Sequence, residues 1–166
     1  MSRDKIFFIQ TGGTIDKDYP KKTKGYAFEI TTPAVERILE KLNPNFDFEI
    51  HPFLQKDSME INSQDLSNLK GLIENLDGDK VIITHGTDTL IETAGFLSSV
   101  VNKTIILTGA KLPERFSNSD APVNIGTAIG AAQTLSNGVY IAIQGLVIAA
   151  HKAVRNPDTG SFGVKQ

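Results

Sequence analysis

The sequence predicts an α/β domain, a flavodoxin-like three-layer fold with a mostly parallel sheet. Three features point there. Short apolar bursts recur along the chain, and three of them are nearly continuous runs rich in Ile and Val, as suits parallel strands covered on both faces. Stretches with helical spacing of apolar residues lie between the bursts. The resulting order, β-α-β-α-β-α-β-α-β, builds a parallel sheet joined by right-handed crossovers.

The elements follow in chain order. Residues 5–10 form the first strand. Thr32 and Pro33 read as N-cap and first residue of a helix over 34–42, with Val35, Ile38, Leu39 and Leu42 on one stripe. Residues 47–53 form the second strand, and Phe46, Phe48 and Phe53 are expected in the core. Ser63 caps a helix that carries Leu66, Leu69, Leu72, Ile73 and Leu76 at helical spacing. The third strand is 80–84. Asp88 then caps a helix over 89–101, with Leu90, Ala94, Leu97 and Val101 on one face. The fourth strand is 104–108. Pro122 opens a helix over 123–135, whose Gly126, Ala128, Gly130, Ala131 and Ala132 permit close packing on a sheet. Residues 139–144 are the fifth strand, and the apolar run 145–150 is also strand-sized.

Composition narrows the function. At 166 residues, 1–166 is expected to be one domain with a full core and no second domain. Lys and Arg number 17 against 19 Asp and Glu, a net charge of −2. That balance argues against a protein that holds nucleic acid by neutralising phosphates. The absence of cysteine excludes disulfide scaffolds, zinc fingers, Cys nucleophiles and iron–sulfur centres. His51, His85 and His151 are too scattered for a metal set, and His85 reads as a turn residue bonding locally. No apolar run approaches the ~20 residues of a membrane span. The run after Lys5 ends at Ile9, short of the roughly 7–15 residues of a signal-peptide core. A cytoplasmic protein without membrane contact is expected.

Ligands of such sheets bind beyond the carboxyl ends of the strands, so the residues just after each strand carry the information. After the first comes Thr11-Gly12-Gly13-Thr14-Ile15, two glycines for a sharp bend and two hydroxyls within it. Neither phosphate-loop spacing is present. The second strand leads to Lys56-Asp57-Ser58-Met59-Glu60, and the third to Thr84-His85-Gly86-Thr87-Asp88-Thr89. Each also reads as an ordinary capping turn. The last opens a helix whose N-terminus favours an anion such as an amino-acid carboxylate. Thr108-Gly109-Ala110-Lys111-Leu112-Pro113 follows the fourth strand, then Ser119-Asp120-Ala121-Pro122-Val123-Asn124. Residues 16–29, with Lys17, Lys21, Lys22 and Lys24, are too polar for core and longer than a usual connection. They form a mobile lid or a solvated loop, and because they leave the first strand at its carboxyl end the lid is the expectation carried forward.

TGGTI, DS, THGTDT, TGA-x-x-P, SD-x-P-x-N and a closing apolar strand occur here in the order seen in the bacterial-type L-asparaginases and glutaminase-asparaginases. The chain resembles the amino-terminal domain of that family, as a short single-domain member. The resemblance implies an amidohydrolase that hydrolyses a small side-chain amide, Asn to Asp and ammonia, without metal or organic cofactor. It implies Thr14 as nucleophile, assisted by Tyr26 on the lid, and a second set of Thr87 and Asp88 completed by a Lys. Gly13, Ser58, Met59, Gly86, Thr87 and Asp88 match the substrate-binding positions, with Met59 where many members carry a polar residue.

The chain departs from the pattern at the Lys. Counted back from Phe162, the position falls on Arg155, with Lys152 as the alternative three residues earlier. An arginine keeps its charge but cannot give up a proton near neutral pH, whereas a lysine beside a threonine can. A non-catalytic amino-acid- or amide-binding module on the same scaffold is therefore the alternative. The expected partners are a small amino-acid substrate and further copies of the chain, as a dimer or tetramer, since a neighbour can close a site at a domain edge.

Overall fold

A computed structural model describes residues 4–20 and 27–166. The chain opens with β1 (Lys5–Gly12), a 3-10 turn over Thr14–Asp16, and β2 (Lys17–Asp18), which pairs antiparallel with β3 (Glu29–Ile30). Then come α1 (Ala34–Leu42), β4 (Asp47–Lys56), α2 (Ser63–Glu74), β5 (Lys80–Thr84), α3 (Leu90–Leu97), β6 (Thr104–Thr108), α4 (Ala121–Thr134) and β7 (Gly138–Ile143). β8 (Leu146–Ala149) and a hairpin of β9 (Ala153–Arg155) and β10 (Phe162–Val164) complete it.

The main sheet runs β4-β1-β5-β6-β7-β8. The first five strands are parallel, and β8 is antiparallel to β7. Strand order reverses between β1 and β5, so a crevice opens at their carboxyl ends. Strand residues alternate between two cores. Val81 and Ile83 join one with α2 and α3, through Leu69, Ile73, Leu90 and Leu97. Ile82 joins the other with α1 and α4, through Val35, Leu39, Ile125 and Ala128. The three-layer parallel fold expected from the sequence is thus the one observed. Among the described residues no helix is long and apolar enough to cross a membrane.

Several local expectations are corrected. α1 takes no side-chain cap from Thr32. Pro33 occupies the N-cap position, and Asp16 accepts the Ala34 N–H at 2.8 Å from 18 residues upstream. Leu42 lies off the buried stripe, 51% exposed. α2 is capped by Asn62 rather than Ser63, in a reciprocal box with Asp65. α3 ends at Leu97, before two serines and two valines that propagate a helix poorly, and Val101 is exposed. Phe48 is 42% exposed, because β4 is the edge of the sheet. The segment expected to be too polar for core begins with two buried carboxylates, Asp16 and Asp18, the latter paired with Arg115 at 2.8 Å. Lys21, Lys22, Lys24 and Tyr26 lie outside the described residues.

Candidate active site

Gly12 and Gly13 end β1 with φ of 119° and 86°, values that an L side chain rarely adopts. They bend the chain across the ends of its neighbours. Gly13 N–H donates to the Lys56 carbonyl at 3.0 Å. A Cβ on Gly13 would stand 2.5 Å from the Gly86 Cα, and one on Gly86 would stand 2.7 Å from the Ser58 Cβ. Bare backbone lets the turns after β1, β4 and β5 touch. Ser58 is buried behind that contact, and Thr89 Oγ1 donates to its carbonyl at 3.0 Å.

The turn after β5 is held by His85. Its N–H donates to the Thr108 carbonyl at 2.9 Å. Its ring Nδ1 stands 2.7 Å from the Gly86 carbonyl, and its Nε2 is 2.9 Å from Thr93 Oγ1. A carbonyl only accepts, so Nδ1 carries the proton and Nε2 accepts from Thr93. Burial holds the imidazole below the ordinary histidine range, against the pull of the Gly86 bond and the Glu92 charge. His85 is a neutral strut. The Gly86–Thr87 peptide is trans and planar, so with its C=O turned to the ring its N–H faces the other way.

Thr14 and Thr87 emerge from these two turns half-buried, on one pocket of about 270 Å³. Arg155 shares its lining, together with Lys111, Gln144 and Phe162. Arg155 Nη1 lies 3.1 Å from Asp88 Oδ1. Asp88 does not cap α3; its half-exposed carboxylate reaches Arg155 instead. Lys152 is exposed, outside the pocket lining. Arg155, not Lys152, is the cation beside Asp88.

The structure therefore brings Thr14, Thr87, Asp88 and Arg155 together, with Gly13, Gly86 and Ser58 packed behind them. Met59 stands apart, 70% exposed and not in the pocket wall. Tyr26 falls outside the described residues. Gln144 was not foreseen. The signal for it was its place between a strand end and a glycine, the same position that singled out the other turns.

The Asparaginase, N-terminal family model matches residues 5–162. The L-asparaginase of Thermococcus kodakarensis is 32% identical over 144 residues, 83% of this chain and 43% of that protein. The L-asparaginase of Bacillus licheniformis is 34% identical over 134 residues, 77% of this chain and 41% of that protein. Among solved structures, the thermostable L-asparaginase from Thermococcus kodakarensis superposes with a TM-score of 0.80 at 27% identity, covering 96% of this chain and 51% of that one. The chain spans about half the length of the curated relatives it matches. It belongs to the asparaginase family and carries that family's N-terminal domain.

Proposed function

We propose that this domain supplies the nucleophile and most of the pocket of an L-asparaginase-type amidohydrolase, hydrolysing a small side-chain amide such as that of Asn to a carboxylate and ammonia. The observation that carries the reading is the convergence of Thr14, Thr87 and Arg155 on one pocket at the β1/β5 crevice. In this scheme Thr14 Oγ attacks the amide carbon, and its proton passes to the leaving nitrogen, which departs as ammonia. Tyr26, outside the described residues, is the group that the resemblance offers to assist that transfer. The Thr87 N–H, turned away from His85, receives the charge that develops on the amide oxygen. Water then cleaves the Thr14 ester and releases the acid. Asp88 holds the substrate ammonium.

Arg155 favours a second reading. A guanidinium paired with Asp88 cannot relay a proton to or from Thr87, which leaves a pocket suited to binding an amino acid without turnover. Ammonia release from Asn, Gln and simple amides, measured beside calorimetric titration with aspartate, separates the two. Release supports the hydrolase; heat of binding with no release supports the binding module. On the half-exposed side of Asp88, closure by a second copy is part of the proposal, and a species of 18 kDa in size-exclusion chromatography would remove it.

A further inference from the structure

Gln144 sits in the hairpin turn between β7 and β8. Ile143 pairs with Leu146, so Gln144 and Gly145 are its two central residues, with φ of 53° and 78°. That is the primed turn that suits Asn-Gly or Gly-Gly. A long side chain at the first of these positions is disfavoured and persists only when its surroundings hold it. Two bonds do so. Gln144 N–H donates to Asn124 Oδ1 at 3.2 Å, and Gln144 Oε1 accepts the Phe162 N–H at 2.9 Å.

Both ends of this link lead to the pocket. Asn124 is buried, and its Nδ2 donates to the Gly109 carbonyl at 2.8 Å, fixing the turn after β6. Phe162 pairs in register with Arg155 across β9 and β10, and its ring centroid lies 5.8 Å from the Arg155 guanidinium carbon. Arg155 Nε is buried and has no hydrogen-bond partner among the described residues. Side-chain contacts of its own do not fully determine the place of Arg155; the hairpin beneath it must. The tie to Phe162 runs through the amide oxygen of a residue in a strained conformation.

We propose that Gln144 is a positioning residue: it docks the β9–β10 hairpin on the end of β7 and so sets Arg155 opposite Thr87 and Asp88. The kinetic arm of its test rests on the amidohydrolase reading; the spectroscopic arm does not. Gln144→Gly removes the side-chain tie while favouring the turn. Gln144→Glu keeps length and acceptor.

The expected result for Gln144→Gly is an unchanged or higher melting midpoint, with kcat/KM on Asn lower by at least about tenfold. The Arg155 Nε proton, followed by nuclear magnetic resonance, should lose its protection from exchange, and Gln144→Glu should retain it. Wild-type kcat/KM and wild-type Nε protection in Gln144→Gly would overturn the proposal. So would a lowered midpoint with protection lost throughout the domain, which would make Gln144 a stability residue only. If the parent chain releases no ammonia, the hydrolase reading fails on its own, and the Arg155 Nε proton alone decides the role of Gln144.

Discussion

Arg155 Nη1 and Asp88 Oδ1 face each other at 3.1 Å, from a hairpin near the C-terminal end of the sequence to the turn after β5. Both side chains retain solvent contact, so such a pair adds at most about 1 kcal/mol to stability. Its consequence is chemical. A positive charge stands beside Asp88 without a proton that can be removed near neutral pH. Arg155→Lys should raise ammonia release from Asn by about tenfold or more, the scale of a recovered proton-transfer group, and add an alkaline rise to the pH–rate profile. Unchanged rates in a steady-state assay would show that proton relay at this position does not limit turnover.

Glycine placement gives a second prediction. Gly13→Ala forces a side chain into φ 86° and against Gly86 at 2.5 Å, where the obstacle is backbone. It should cost about 2 kcal/mol or more and remove activity, because the β1 and β5 turns must separate. Gly95, inside α3, meets nothing within 4 Å. Gly95→Ala should stabilise by about 0.5–1 kcal/mol. Urea unfolding of both variants checks the opposite signs.

Asp16 predicts a pH effect. Burial pushes its carboxyl up to about 7 from 3.8; the Ala34 N–H, Gln10 and Arg37 oppose the rise, and Glu36 adds to it. Between about pH 4 and 7 the folded chain keeps a proton that the unfolded chain has lost. Stability therefore falls as pH rises through that window, by up to about 1.4 kcal/mol per unit, and the cost is complete above it. Asp16→Asn retains an acceptor for Ala34 and cannot ionise. It should gain about 1 kcal/mol or more over the parent at pH 8 and much less at pH 4. Equal gains at both values in denaturant titrations would contradict this account of Asp16.

The fold was legible because its strands are Ile- and Val-rich runs covered on both faces, and its helices carry apolar stripes. Val81, Ile82 and Ile83 announce a central strand whichever core each one joins. What could not be read was non-local. The cap of α1 comes from Asp16; the cation beside Asp88, Arg155, lies 67 positions later (155 − 88), and only the resemblance to the family's motifs put those two in one set. Spacing within one segment carries no trace of either. The glycine pairs and hydroxyl-rich turns marked Thr14, Ser58 and Thr87 because each follows a strand. Met59 carried the same mark, yet its side chain leaves the turn toward solvent. Gln144 lacked a polar cluster around it, so its place between a strand end and a glycine was its one mark, and its tie to Phe162 is non-local.

The most direct test of the central claim is ammonia release from Asn by the parent chain and by Thr14→Ala, with aspartate binding measured on both. The account predicts that Thr14→Ala loses turnover by about a thousandfold or more while still binding aspartate. Turnover in Thr14→Ala equal to that of the parent would contradict it.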